Sequence, residues 1–532
     1  MKSTPAAISR VSTHAKMRLP TRKTGRGDGW MPASARLSCR RLSRPIARPG
    51  TRRSMARLAE CSMRPAVSRS QSGLADVARE NAIYVTMCLK CHFLLPFMQF
   101  ANIIDRRTIV RSHRRWRYFG VFWVGAIATG LVAVMYARLI DFGFDVFVQM
   151  TGHNRWLPLV ITPAIAAFSV WATRRWFPGS EGSGIPQVIA TLHDVRGFGP
   201  RLLTLRILFG KIALSFLAIL GGFTIGREGP TIHVGAALMY SLRRFYPARL
   251  RSMYGVGLEY KLALAGAAAG LSAAFNAPLA GVVFAIEELT RSFEAKTSGV
   301  IITAIIFAGV VSLALQGNYV YFGTIAIGGH FPDLLAVAVI LVGAITGAAG
   351  GVFCWLLLNT ERWMPARLFT LRKDSPVAFG AVCGLFIAVI GVASGGNLFG
   401  SGYAQARGML EGHSQLGAAY PVLKMASMVG SYLPGTPGGL FAPSLAIGAG
   451  IGNALHMVFG QMQLPMLIAL GMVGYLAAVT QSPITAFVIV IEMIDGHALV
   501  ISLMATALVS SQVSKLFAPP LYEALAQRFL KP

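Results

Sequence analysis

The sequence predicts an all-α polytopic membrane protein built from two related halves of tilted and broken helices. Three observations carry that reading. Of 532 residues, 54% are apolar and 13% are charged, where soluble domains carry about 25% charge. No Asp, Glu, Lys or Arg occurs in the 19 residues from Phe119 to Ala137, the 27 from Leu334 to Thr360 or the 67 from Met425 to Ile491. A helix of about 20 apolar residues crosses a bilayer. Finally, a set of Gly, Pro and Glu landmarks occurs twice in the same order.

Taken in order, residues 1–95 are rich in Arg, Ser, Pro and Ala and lack helical periodicity. They read as a disordered basic extension, a transit-type leader, or an N-terminus lengthened by an early start codon, with Met87 and Met98 as later starts. A basic lead-in over 96–117 follows, and positive residues of this kind hold a segment in the cytoplasm. The first membrane half covers 118–316 and the second 317–530. Helices are expected at 118–140, 157–173, 186–194, 202–221, 229–243, 262–274, 278–292 and 298–316. The second half should place them at 333–358, 376–394, 402–411, 417–432, 440–457, 464–478, 483–494, 498–516 and 520–530. Several are too short to cross and are interrupted by Gly or Pro. At membrane depth such breaks are tolerated only where they line a cavity or bury against protein.

The net charge of +29 is uneven: residues 1–70 hold 17 Lys/Arg against 2 Asp/Glu. The remaining positive charge lies mostly in loops, where it orients membrane proteins. Nucleic acid is therefore excluded as a partner. Six cysteines, at 39, 61, 88, 91, 354 and 383, form no disulfide framework. Cys354 and Cys383 lie in apolar runs and read as packing. Cys88, Cys91 and His92 match the c-type haem pattern C-x-x-C-H. That reading, a membrane-anchored haem or redox protein, requires export of a segment flanked on both sides by Arg.

The repeat is specific. Gly182-Ser183-Gly184-Ile185 opens one half and Gly400-Ser401-Gly402-Tyr403 the other. Gly226-Arg227-Glu228-Gly229-Pro230 ends 47 residues after Ser183, and Gly439-Leu440-Phe441-Ala442-Pro443 ends 42 after Ser401. Pro278 precedes Glu287 by 9 residues, as Pro483 precedes Glu492. Repeats of broken helices point to a transporter with its site between the halves. The stretch Gly221 to Pro230 reads as a helix N-terminus, since Pro suits the first turn. Such an end carries roughly +0.5 of a charge and attracts anions. Glu228 would be the protein's own anion in that cradle.

Together these residues resemble the CLC chloride channels and transporters, the voltage-gated chloride channel family. Gly182-Ser-Gly-Ile-Pro186, Gly226-Arg-Glu-Gly-Pro230 and Gly439-Leu-Phe-Ala-Pro443 look like its three selectivity-filter signatures. Asn276-Ala-Pro-Leu-Ala-Gly281 and Tyr522, after Pro519-Pro520-Leu521, match it as well. The resemblance runs from about 110 to 530. Singly, a Ser between glycines is a turn or cap residue and a late Tyr is packing; the ordered combination reverses that.

The resemblance implies the CLC fold, with halves of inverted topology, and a homodimer with one pore per subunit. It implies that Ser183 and Tyr522 donate hydroxyls to chloride, joined by the backbone amides of Leu440 and Phe441. Neutral donors suit an anion that must also leave. Glu228 would be the gate and outer proton carrier; burial and helix-end amides act on its protonation in opposite senses. Glu288 would pass protons on the inner side, which favours proton/chloride exchange over a passive proton-gated channel. Glu287 and Glu492 read as structural, and Arg227 and Lys211 as supports for the helix ends or their field. Ser183 and Pro230 favour chloride over nitrate or fluoride. No cofactor or metal is needed and no enzyme activity is expected. The resemblance is to prokaryotic-type members without C-terminal regulatory domains. The implied location is the bacterial inner membrane, both termini cytoplasmic.

Overall fold

A computed structural model describes residues 106–246, 248–291, 295–317, 321–323, 334–413, 416–494 and 496–530. The expected extension over 1–95, residues 96–105 of the lead-in, and Cys88, Cys91 and His92 lie outside these. The first half runs α1 (Arg106–His153), α2 (Pro158–Trp176), α3 (Ile185–His193), α4 (Val195–Leu202) and α5 (Leu205–Leu220). It continues with α6 (Glu228–Ser241), α7 (Ala248–Phe275), α8 (Pro278–Phe284) and α9 (Ala295–Gln316). The second half runs α10 (Leu335–Leu358), α11 (Thr360–Trp363), α12 (Ala366–Asp374), α13 (Pro376–Ala393), α14 (Tyr403–Leu410) and α15 (Tyr420–Tyr432). It closes with α16 (Phe441–His456), α17 (Leu464–Thr480), α18 (Pro483–Ile494), α19 (Val500–Lys515) and α20 (Leu521–Leu530).

Local chemistry starts these helices. Pro stands in the first turn of α2, α3, α13, α15 and α17, where a missing N–H costs nothing. Asp194 caps α4 by accepting from Gly197 N at 3.0 Å, and Thr204 caps α5 by accepting from Ile207 N at 3.2 Å. Such caps are each worth ~0.5–2 kcal/mol.

The repeat extends beyond the motifs that reveal it. Lys211 and Lys424, Gly222 and Gly435, Gly226 and Gly439, and Gly235 and Gly448 are all 213 residues apart. At the last of these pairs the helices meet backbone to backbone. A Cβ on Gly235 would lie 2.3 Å from Gly266 O, and one on Gly448 would lie 2.3 Å from Gly471 O. Thus α6 packs on α7 as α16 packs on α17. Residues Met466 to Thr480 of α17 are buried without exception, as are Phe441 to Asn453 of α16. These helices form the interior. Around them α1, α9, α10 and α13 expose Val124, Val310, Ile340 and Val389, an apolar surface suited to lipid.

Four single helical segments among the described residues are long and apolar enough to span a membrane: Phe119–His153, Gly299–Gln316, Leu335–Leu358 and Pro376–Ala393. The pair α4 and α5, bent by 51°, makes a fifth as a broken span. The expectation of many short pieces therefore holds, but several boundaries move. The helix expected at 118–140 runs on to His153, and past the apolar run its Asp141 pairs with Arg227 at 2.6 Å. The piece expected at 202–221 is the bent pair, broken at Leu203 and Thr204. The helix expected at 262–274 starts at Ala248 and kinks at Gly255, whose φ is +44°. The helix expected at 278–292 gives way to a π-turn over Ala285–Thr290. Residues 360–374, left unassigned by apolar pattern, hold the short polar helices α11 and α12.

Candidate functional site

Three chain segments meet at one point. A Cβ on Gly229 would lie 3.1 Å from Ser183 Cβ and 3.3 Å from Gly439 Cα. The starts of α6 and α16 are tied by a pair of antiparallel hydrogen bonds: Gly226 N donates to Gly439 O at 2.8 Å, and Gly439 N donates to Gly226 O at 2.7 Å. The positive ends of two helix dipoles therefore face each other. Ser183 is fully buried beside them, its Oγ accepting from Ile185 N at 3.4 Å.

The Ser183 loop is held from both sides. Lys211 Nζ donates to Gly182 O at 2.9 Å and Glu181 O at 3.2 Å. Gly438 N donates to Gly182 O at 3.1 Å. Gly184 has φ +92°, and a Cβ there would meet His233 Cβ at 2.5 Å. Only glycine fits that turn. The His233 ring is fixed in its turn by Leu202 O, 2.9 Å from Nε2.

Glu228 opens α6 and is 1% exposed. Its carboxylate lies beside Gly226 and the Ala442 amide, with neither oxygen hydrogen-bonded among the described residues. Arg227 itself points outward, donating to Asp141 at 2.6 Å, Ala137 O at 3.0 Å and Tyr321 Oη at 3.2 Å. A cavity of about 560 Å³ reaches Glu228 from that side, with Arg138, Asp145, Gln316 and Tyr403 in its walls. On the opposite side Tyr522, in the first turn of α20, is buried with its hydroxyl unpartnered among the described residues. Its ring stacks on Phe441 at 6.2 Å between centroids. The amides of Leu440 and Phe441 sit at the start of α16. Sequence reasoning missed Tyr432, at the end of α15, whose hydroxyl faces Ser183 and lies 3.0 Å from where a Gly182 Cβ would be.

The second pair of carboxylates diverges. Glu287 Oε1 and Oε2 accept from Ile484 N at 3.1 Å and Thr485 N at 2.6 Å. Glu492 answers with Leu279 N at 3.1 Å and Ala280 N at 2.7 Å. Each half thus caps a helix of the other, in agreement with the structural role read for these two residues. Glu288, the neighbour of Glu287, turns inward: it is 3% exposed, accepts from Ser482 Oγ, and leaves Oε1 without a partner among the described residues. The π-turn that carries both widens the helix locally, a distortion common at functional sites.

Lys424 also escaped the sequence reading. It is fully buried and donates to Leu398 O at 2.8 Å, Phe399 O at 3.4 Å and Gly400 O at 2.9 Å. It does for the Ser401 loop what Lys211 does for the Ser183 loop. Its spacing of 213 residues from Lys211 was a signal available beforehand. Among the described residues, no group of three or more His, Cys, Asp or Glu side chains is placed to hold a metal.

Two helix N-termini and a buried serine meet at one point inside a sheath of apolar helices, the arrangement of a polytopic membrane protein with a buried polar centre. The chain belongs to the voltage gated chloride channel family, whose sequence profile matches residues 163–515. An H(+)/Cl(-) exchange transporter ClcA from Salmonella arizonae is 28% identical over 429 residues, covering 76% of this chain and 86% of its own length. Among solved structures, a slow cyanobacterial Cl-/H+ antiporter superposes with TM-score 0.66 at 24% identity, covering 78% of this chain and 98% of its own. A CLC-type fluoride/proton antiporter gives TM-score 0.65 at 20% identity, covering 76% and 97%. The expected all-α CLC fold is thereby shown.

Proposed function

We propose that the protein exchanges chloride for protons across a membrane. The observation that carries this reading is the convergence of Ser183, Gly229 and Gly439 on one point with the Glu228 carboxylate beside it. The exchange activity named for the Salmonella relative supports it. Chloride is held by the hydroxyls of Ser183 and Tyr522 and the amides of Leu440 and Phe441. Such neutral donors stabilise an anion without trapping it. Glu228 competes with chloride for the helix ends when ionised and leaves them when protonated. Glu288, buried on the Tyr522 side, hands protons to and from that face.

The Tyr522 face is assigned to the cytoplasm, with both termini on it. Arg174, Arg362, Arg372, Lys373 and Arg528 line one cavity at helix ends and connections, the last of them on the helix that carries Tyr522, and positive residues favour that side. A second copy completes the unit. Leu279 and Ile484 at the starts of α8 and α18 are 64% and 50% exposed, next to the capping carboxylates of Glu492 and Glu287. Carboxylates close to lipid are costly; a partner laid over these ends covers them.

The test is proton movement in liposomes given only a chloride gradient. Wild type should drive protons uphill. Glu288→Gln should keep chloride flux and lose proton flux, and Glu228→Ala should leave chloride flux uncoupled from protons. Chloride flux with no proton movement in the wild type makes the protein a passive channel and overturns exchange.

A further inference from the structure

We propose that a basic cavity beside the Tyr522 face binds a multivalent phosphate group, which then obstructs the adjoining anion entrance. The cavity, of about 610 Å³, is walled by the ends of α2, α10 and α20 together with α11 and α12. Arg174, Arg362, Arg372, Lys373 and Arg528 line it against one carboxylate, Glu361. Five cations gathered around one concavity are well beyond what orienting a chain requires.

The cations are not spent on each other's neighbours. Among the described residues, none of the five has a carboxylate within ion-pair distance. Arg372 donates to Thr360 Oγ1 at 2.9 Å and Arg528 to Leu358 O at 2.9 Å, both neutral acceptors. Each of those bonds uses one nitrogen of a guanidinium with five N–H donors, so most of the fork stays available. Burial and the nearby Arg528 and Arg174 pull the Arg372 guanidinium below its ordinary value. A polyanion placed among them relieves that repulsion. Four guanidinium groups at one concavity match phosphate oxygens in planar, two-pronged fashion, which a lone chloride cannot exploit.

Arg372 also joins this cavity to the transport site. Arg372 and Arg528 line a second cavity with Gly182, Gln187 and Tyr432 in its walls. Arg372 and Arg174 line a third with Glu181. Both reach the Ser183 loop. A phosphate seated on Arg372 and Arg528 stands at residues shared with the cavities that reach the Ser183 loop, and its negative charge repels chloride there. The shared ligand chemistry is a group with two or more phosphate charges, either free, as in a nucleoside polyphosphate, or on a lipid headgroup.

The binding part stands independently of the exchange reading, whereas the obstruction rests on it, so each is measured separately. Inorganic tripolyphosphate is titrated calorimetrically onto the full chain in phosphatidylcholine nanodiscs, and repeated in nanodiscs that also contain phosphatidylinositol 4-phosphate. Wild type should bind, and Arg372→Gln/Arg528→Gln should weaken binding about tenfold or more, as loss of two charge-assisted contacts implies. Arg362→Gln/Lys373→Gln alters two exposed side chains and should weaken it in the same direction, which guards against a misfolded first variant. Equal binding in both membranes assigns the site to a free polyphosphate; displacement by the phosphoinositide assigns it to the lipid. In liposomes, tripolyphosphate on the Tyr522 side should slow chloride flux in wild type and not in the variants. Absence of binding in wild type, or binding unchanged in both variants, overturns the site. Binding without any slowing of chloride flux overturns the obstruction and leaves the exchange reading untouched.

Discussion

At the scale of single residues, the two buried lysines separate holding the site from holding the fold. Lys211 fixes the carbonyls of Glu181 and Gly182, immediately before Ser183. Lys424 fixes those of Leu398, Phe399 and Gly400, ahead of Ser401, whose loop borders the opposite cavity. Without the Lys211 ammonium, Gly182 O and Glu181 O each keep one neutral donor, Gly438 N and Gln187 Nε2, and lose a charge-assisted bond. Without that of Lys424, Phe399 O and Gly400 O lose their donor, at ~1–3 kcal/mol for each buried orphan. Both Lys211→Met and Lys424→Met should therefore lower the melting temperature in detergent. Only Lys211→Met should also weaken chloride binding, because only it frees the backbone that presents Ser183. Chloride titration of the two variants by calorimetry checks this, and equal affinities would show that the Ser183 loop is rigid without its lysine. Sequence reasoning reached Lys211 only as a vague support. The contacts that define it are to main-chain oxygens, which leave no mark on side-chain pattern.

At the scale of elements, the close helix pairs set the tolerance of the interior. Gly448 faces Gly471 O so closely that any side chain must push α16 from α17. Gly448→Val should cost several times the ~1–3 kcal/mol of ordinary overpacking, since carbonyl oxygen rather than a flexible side chain is in the way. Expression and monodispersity on size exclusion should both collapse. Gly120, with open space where its Cβ would be, should accept the same change without effect. The helix starts were readable in sequence from Pro and Gly, and so was the repeat. The π-turn at Ala285–Thr290 was not. It depends on Glu287 being drawn to a helix start nearly two hundred residues away, a tertiary pull that local pattern does not encode. The polar helices α11 and α12 were missed for a related reason: apolar periodicity marks membrane helices and is silent on polar ones outside them.

At the scale of the whole molecule, the two halves are fastened at their centre. The paired hydrogen bonds between Gly226 and Gly439 lie next to the point proposed to hold chloride. Transport by rocking one half against the other, common among repeat-built transporters, would break them in every cycle. Movement of the Glu228 side chain leaves them intact. Cross-linking the halves near this point, through a Thr224→Cys and Ser427→Cys pair whose side-chain oxygens lie 2.6 Å apart, should leave chloride flux within about twofold of the uncross-linked protein. Loss of flux on oxidation, restored by reductant, would require the halves to part. Convergence of the three signatures was legible beforehand through the family resemblance. Their mutual distances, and the Tyr432 hydroxyl beside them, depended on the packing of helices far apart in sequence.

The exchange of caps between halves has a consequence for how the chain is made. Glu287 is 197 residues ahead of its partner amide at Ile484. At about 5–20 residues per second of synthesis, roughly 10–40 s pass between the appearance of the carboxylate and that of the helix it closes. Through that interval the first half sits in the membrane with a glutamate unanswered, and with the start of α8 awaiting Glu492. Assembly of this protein thus contains an enforced wait, during which insertion factors or neighbouring chains have access to a polar surface that the finished fold conceals.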